Sequence, residues 1–443
     1  MSTPKQILII GGGFTGLTAA YRLSREPHFS VTLVDRSDHL GGLAAGFPLC
    51  GTSLEMTYHH LFLTDTAILD LVTELGLREK LVWCDSSIGI FRNGKIHPFK
   101  TPLDLLQFSP CSFSGRLRTG LAALYLKHRK NWRGFTRQTA HGWMTRACGA
   151  SAMESIWTPL LEGKFGRHFK NVSMAWLWAR IHTRANSRTR GDGEKLGYFH
   201  GGFNVVTTAL ESEIRRRGVK IQTGANVEKV SGERIALVNG KTMPFDFCIF
   251  TGPSPAFARL LPARESLKDY AAKLHGIEYL GAICLVFTSD RNLGDFYWVN
   301  VNEPDAPFLV FLNHTRLVDK SFYGGKYVYY IGAYLQPEGK KFSLPDDELT
   351  NLWLGYLLKL FPEFDPQCIG EKHVFRFRAA QHIVDTNYEE KIPDYRTPLP
   401  GVFLANFSQI FPEDRGTNFA VREGNRIAEL LVREAGHKTK AEG

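Results

Sequence analysis

Two histidines, His59 and His60, stand side by side in the run Met56-Thr57-Tyr58-His59-His60-Leu61-Phe62-Leu63-Thr64-Asp65. An imidazole has its ordinary pKa near neutrality, so a histidine at a reaction centre can hold or move a proton. His60 is the catalytic candidate, and His59 beside it is a candidate for substrate contact. Upstream, Gly11, Gly13 and Gly16 follow the apolar run Ile7-Leu8-Ile9-Ile10 at the spacing G-x-G-x-x-G. In such a pattern the first glycine permits a tight turn, the second removes a side chain where a pyrophosphate approaches the backbone, and the third lets a helix pack on the strand. Phe14 and Thr15 fall where free amides at the helix start would face phosphates. Asp35, followed by Arg36, closes a second apolar run about twenty residues on, where a ribose hydroxyl needs an acceptor. Near the other end, Asp414-Arg415-Gly416-Thr417-Asn418 places an acid, a glycine and a capping residue just before a helix start.

Those groups act only if strands and helices hold them. Ile7 to Ile10 has the length and branching of a buried parallel strand, Leu17, Ala20, Tyr21 and Leu23 form the inward stripe of a helix, and Val31-Thr32-Leu33-Val34 is the next strand. Strand, glycine turn, helix, strand and acid in register read as a nucleotide grip of an α/β fold. Ala282 to Phe287, Phe308 to Leu312 and Tyr327 to Tyr334 read as strands of a second sheet. A second G-x-G-x-x-G after a strand is absent, which argues against a dedicated NAD(P)H domain.

After Asp35 comes a second glycine pair in Gly41-Gly42-Leu43-Ala44-Ala45-Gly46-Phe47. This resembles the extended fingerprint of the FAD-dependent amine oxidase superfamily, which also holds protoporphyrinogen oxidases, carotenoid desaturases and UDP-galactopyranose mutases. The resemblance implies FAD as cofactor. It also implies an α/β fold with a Rossmann-type FAD-binding domain, a mixed-sheet substrate domain and a helical insert, as in amine oxidase and glutathione-reductase-like FAD folds. The FAD domain would be discontinuous (1–75, 197–255 and 399–443), around a mainly helical insert (76–196) and a strand-rich substrate domain (256–398). Gly42 and Leu43 would lie near the cofactor, Leu43 where many members have an arginine. Val227 would be the adenine-side strand residue. Asn406 stands where many flavoproteins have an aspartate toward the ribityl chain, and Asp414, Arg415, Gly416 and Asn418 would border a helix laid under the isoalloxazine ring and pyrophosphate. The histidine run is similar to the loop that UDP-galactopyranose mutases place near the flavin, with His60 and Phe62 at matching positions.

The chain has 443 residues, 43% of them hydrophobic, enough for two or three lobes. Its seven cysteines are dispersed without a C-x-x-C pair, so neither a metal cluster nor a disulfide scaffold is expected, and a reducing, cytoplasmic compartment is. Met1 to Gln6 does not read as a secretory signal, and no run approaches the roughly twenty apolar residues of a membrane span. A formal charge of +10 comes without a nucleic-acid-binding motif, so nucleic acid is not an expected partner. Basic residues instead gather in Arg116, Arg118, Lys127, Arg129, Lys130, Arg133 and Arg137, interleaved with Leu117, Leu121, Leu124 and Tyr125. That mixture suits either peripheral contact with the inner face of an anionic membrane or a solvated helical face. A second group, Arg180, Arg184, Arg188, Arg190 and Lys195, suits an anionic small-molecule substrate, since guanidinium forks pair with phosphate or carboxylate. His314 and Tyr334 on the second sheet are further substrate candidates, and Arg378, Gln381 and His382 are placed to approach the ring.

The expected activity is oxidation of a C–H bond by hydride transfer to the flavin N5. A redox-neutral reaction on a nucleotide sugar is the alternative, and a flavin-bearing assembly protein without turnover a third reading.

Overall fold

The computed structural model describes residues 3–189, 193–232 and 234–441. Five parallel strands form its first sheet, in the order Lys220–Gln222, Phe29–Val34, Lys5–Ile10, Phe247–Phe250, Val402–Leu404. Alternation along Lys5–Ile10 explains the layers. Ile7 and Ile9 enter a core with the helices Phe14–Leu23, Asn204–Arg216 and Thr417–Ala441, whereas Leu8 and Ile10 point to the opposite face. There they meet Val230, Ala236 and Val238 of the antiparallel strands Val227–Val230, Ile235–Val238 and Lys241–Pro244. A sheet covered on both faces needs such continuous apolar strands.

The second sheet has seven strands, in the order Ile369–His382, Tyr279–Ser289, Tyr327–Leu335, Val310–Asn313, Trp298–Val301, Ile88–Arg92, Lys95–Pro98. All neighbours are antiparallel except Trp298–Val301 with Ile88–Arg92. The segment 76–196 is therefore not helical throughout. Ile88–Arg92 is wholly buried at the sheet margin, and the turn at Asn93 and Gly94, with φ of 54° and 70°, folds Lys95–Pro98 back on it. Leu81–Asp85 pairs with Gly193–Phe199 in another small sheet.

The rest of that segment is a helical lobe with its own core around Phe108, Met144, Phe165 and Trp176. Three of its helices begin where a short polar side chain accepts an orphan amide. Ser112 caps Phe113–His128 through the Gly115 amide (3.2 Å), Thr139 caps Ala140–Cys148 through Gly142 (3.1 Å), and Ser173 caps Met174–Asn186 through Ala175 (3.2 Å). Trp176 and Trp178 are core residues, and Trp157 packs against that core.

Candidate active site

The glycine turn is closed by contacts that no other residue would allow. Gly11 has φ of +114°, and a Cβ on Gly16 would lie 1.9 Å from the Gly11 carbonyl oxygen. Asp35 braces the turn from the next strand, its Oδ2 accepting from the Gly12 amide at 2.5 Å and its Oδ1 from Ser37 at 2.7 Å. The second glycine pair presses on the first loop. Gly41 donates to the Gly12 carbonyl at 2.9 Å, and a Cβ on Gly42 would stand 3.1 Å from the Cα of Gly13. Helix Phe14–Leu23 starts at Gly13 without a side-chain cap, so its first-turn amides are available to a phosphate. Phe14 and Thr15 have buried side chains and contribute through the backbone, and Arg36 is exposed. Toward Val227, the amides of Gly224 and Ala225 donate to the carbonyls of Ser37 (2.7 Å) and Asp35 (2.8 Å), bringing that strand beside the acid. The cradle, open backbone and free helix end fit a dinucleotide.

The cradle leads into a cavity of about 1530 Å³, its open mouth included, where three lobes meet. The first contributes Leu43, Thr57, Tyr58, His59, His60, Phe62, Asp65 and the run 414–419, the helical lobe Leu160, Lys164, Ala179, Arg180, Thr183 and Arg184, and the second sheet Ala282, Cys284, Trp298, Asn300, Leu309, Tyr334 and Ala380. His59, His60, Leu43, Arg180, Arg184, Tyr334, Asp414, Arg415, Gly416 and Asn418 thus come together from distant parts of the chain.

The floor is aromatic. Tyr58 stands edge-on to Trp298 with ring centroids 5.2 Å apart, and His60 meets Phe62 at 5.1 Å and Trp298 at 5.9 Å. His60 Nδ1 lies 3.0 Å from the Tyr297 hydroxyl, and burial, reinforced by Arg184, lowers its pKa to about 3. His59 Nδ1 lies 2.7 Å from the Thr57 carbonyl, which can only accept, so Nδ1 carries the proton and Nε2 presents a lone pair. Burial lowers its pKa to about 4 despite that bond. Both imidazoles are neutral at pH 7. Asp65 precedes helix Thr66–Glu74, accepts from the Phe62 amide at 2.8 Å, and is pushed up to about 6 by burial.

The opposite wall is cationic. Asp414 Oδ2 accepts from Lys164 Nζ (2.8 Å) and Arg180 Nη1 (2.7 Å), and its Oδ1 from Trp176 Nε1 (3.2 Å). Burial raises the Asp414 pKa, but Lys164, Arg180 and Arg415 more than reverse this and hold the carboxyl well below the usual range. Arg415 donates to the Tyr334 hydroxyl at 2.8 Å, while its buried Nε has no partner. Arg184 grips Glu194 with Nε (3.1 Å) and Nη2 (3.3 Å). Asn418 ties the C-terminal helix to the next one by accepting from the Ile68 amide at 3.2 Å.

Other sequence candidates lie elsewhere. Asn406 does not line the cavity. It is 1% exposed and spends its amide on the Gly252 carbonyl (2.7 Å) and Ser254 Oγ (3.1 Å), and its oxygen on Ser408. His314, read as a substrate contact, is buried behind the second sheet with its Nε2 2.8 Å from the Tyr323 hydroxyl and its ring against Tyr198. Its strand ends at Asn313, which turns it under the sheet. Arg378 pairs with Glu338 at the exposed surface, and Gln381 and His382 are buried without lining the cavity. Arg190 lies outside the described residues. Sequence reading missed Lys164, Asp65, Trp298 and Asn300. Asp65 had a signal, an acid immediately before an apolar helical run, whereas Lys164 sits in Trp157-Thr158-Pro159-Leu160-Leu161-Glu162-Gly163-Lys164, a run with no motif.

A phosphate cradle feeding a cavity walled by a separate sheet and a helical lobe defines a Rossmann-type FAD-binding protein. The family model for flavin containing amine oxidoreductase matches residues 14–431, and the chain belongs to that family, with FAD as its cofactor. Among curated proteins, coproporphyrinogen III oxidase of Bacillus subtilis is 25% identical over 304 residues (60% of this chain, 64% of that protein). That of Staphylococcus aureus is 23% identical over 259 residues (51% and 55%). The chain thus spans less than two thirds of the length of these relatives. Among solved structures, reduced UDP-galactopyranose mutase superposes with a TM-score of 0.78 at 15% identity, covering 97% of this chain and 95% of that one. Cyclohexylamine oxidase from Brevibacterium oxydans gives 0.72 at 16%, covering 98% and 100%. At such identities these two speak for the fold alone.

Proposed function

We propose that this chain is an FAD-dependent oxidoreductase that oxidises a C–H bond of an anionic substrate with an apolar or conjugated body, as a porphyrinogen oxidase does. The observation that carries this reading is the cavity itself, with aromatic rings on one side and Lys164, Arg180, Arg184 and Arg415 on the other. Its lining carboxylates among the described residues are Asp65 and Asp414, and Asp414 is already paired with two cations. An ammonium substrate meets a net positive wall there, so the amine branch of the family is the poorer fit.

FAD supplies a two-electron acceptor when bound. The chain's own share is placement. Tyr58, Trp298 and Phe62 offer faces and edges to a planar substrate body and exclude water, while the guanidinium groups fix its anionic end. His59, neutral with Nε2 bare, and His60, neutral beside Tyr297, accept or relay a proton leaving the substrate.

A redox-neutral reaction on a nucleotide sugar is the second reading, favoured by the same cationic wall, which suits a diphosphate, and by the placement of His60 and Phe62 on the cavity. An anaerobic absorbance titration separates the two. Bleaching of the oxidised flavin band by a porphyrinogen or other anionic donor, and not by amines, supports the first. A UDP-sugar that perturbs the band without bleaching it, and is converted only after dithionite reduction, moves the assignment to the second.

We also propose that the helical lobe rests on an anionic membrane surface. Seven of the eleven exposed large hydrophobic residues among those described fall between Leu103 and Tyr125, with Phe113 (62%), Leu121 (67%) and Leu124 (55%) on one helix. Arg116, Arg118 and Lys127 lie on the same helix, and Arg129, Lys130 and Arg133 follow it in the chain, which supplies basic groups to pair with anionic lipid. No helix among the described residues is long and apolar enough to cross a membrane.

A further inference from the structure

Asp414 is an unusual neighbour for a substrate anion. It is an acid at the centre of the cationic wall, on the loop just before helix Thr417–Ala441, and it draws donors from two helices of another lobe. Lys164 comes from Thr158–Phe165, Arg180 and Trp176 from Met174–Asn186. One residue on, Arg415 reaches Tyr334 of the second sheet, so positions 414 and 415 pin all three lobes at the cavity. The donors are not exhausted by this. Lys164 Nζ has three N–H groups and Arg180 five, and each gives Asp414 a single bond. Arg415 has a buried Nε without a partner. Tyr334 lies between two of these cations, its ring centre 5.3 Å from Lys164 Nζ and 5.8 Å from the Arg415 guanidinium. Three cations thus gather about one carboxylate, with donor capacity left over, and all three of these residues line the cavity.

We infer that Asp414 is a resident counter-anion that sets anion selectivity. Lys164, Arg180 and Arg415 form a subsite for a phosphate or carboxylate group of the substrate, and Asp414 repels that group while holding the cations in place. This rests on the anionic-substrate reading above. Three cations against one carboxylate leave the subsite net positive, and Asp414 offsets part of its attraction for any anion. A Coulomb energy scales with the charge of the bound group, so a doubly charged group, or two carboxylates on one molecule, is held more strongly than a singly charged one, and Asp414 limits that difference. Asp414 acts through Lys164 and Arg180, and is a positioning and selectivity residue, not a reacting one.

The test uses the FAD-loaded protein with inorganic phosphate and pyrophosphate as probes, read by perturbation of the flavin absorbance band and by isothermal calorimetry. Asp414→Asn removes the charge and keeps one acceptor oxygen, which serves either Trp176 or the pair Lys164 and Arg180. It should tighten phosphate binding tenfold or more, tighten pyrophosphate by a larger factor, and so widen the preference for pyrophosphate over phosphate. Lys164→Met, which removes a cation but leaves Asp414 charged, should weaken both tenfold or more. An unaltered flavin spectrum and melting within a few degrees of wild type show that each variant is folded; Lys164→Gln serves if Lys164→Met does not fold. Wild-type binding of pyrophosphate with no change in Asp414→Asn overturns the inference and leaves the anionic-substrate reading standing. Binding seen in Asp414→Asn but not in wild type removes the anionic-substrate reading and, with it, the inference that rests on it. No binding by any form overturns both.

Discussion

His59, His60, His314 and His382 are buried as neutral imidazoles, with pKa values lowered from 6.5 to about 4, 3, 3 and 4, in each case chiefly by burial. A folded-state value below the unfolded one means that stability is intact above pH 6.5 and is lost as the pH falls toward 3 to 4. Between pH 7 and 5 the unfolded chain takes up about 0.7 proton at each site and the folded chain almost none, which removes about 2 kcal/mol per histidine, or about 7 to 8 kcal/mol in total. Two carboxyls run the other way. Burial raises Glu55, held by the Tyr198 hydroxyl and the Phe203 amide, to about 7 and Asp65 to about 6. A raised carboxyl contributes stability below its unfolded pKa that is lost as pH rises through the folded one, so acidification to pH 5 returns about 3 to 4 kcal/mol. The net loss is about 4 kcal/mol, a large part of the stability of an ordinary domain. His314→Gln is the informative perturbation, because His314 lies outside the cavity and its removal takes one of the four titrations away. Urea unfolding of the FAD-saturated protein at pH 7, 6 and 5 should show that loss shrinking to about 2 kcal/mol in the variant, whatever the change in stability at pH 7. A variant that retains the full wild-type pH dependence would refute the reasoning.

Gly16→Ala places a methyl 1.9 Å from the Gly11 carbonyl oxygen, where only backbone can yield, so the purified variant should lack the flavin spectrum and melt lower. FAD retention at the wild-type ratio would count against the cradle. His60→Ala opens the contact with Tyr297 and Trp298 and should lower turnover with any substrate that bleaches the flavin by tenfold or more while FAD stays bound. Unchanged turnover would remove His60 from the chemistry. Changing Leu117, Leu121 and Leu124 to serine, at exposed positions of helix Phe113–His128, should leave flavin content and melting unchanged yet reduce flotation with phosphatidylserine-containing vesicles. Equal flotation would argue for a solvated face.

The sequence alone determined the cradle and its cofactor class, because those depend on local rules. A strand of branched residues, glycines where a Cβ meets backbone, and an acid at the end of the next strand are each fixed by their neighbours within about forty residues. The Asn93-Gly94 pair between Ile88–Arg92 and Lys95–Pro98 is an equally local hairpin signal, which the reading of 76–196 as mainly helical passed over. Only the tertiary structure decided the rest of the site. Lys164 has no motif around it, and it becomes a cavity group because a helix of one lobe lays it 2.8 Å from Asp414 of another. The same packing turned Asn406 and His314 away from the cavity, since burying their polar atoms required the partners at Gly252 and Tyr323 that the fold provides. Charge, periodicity and spacing report what a residue can do. Which groups meet across lobes is set by long-range packing, and a local pattern carries no record of it.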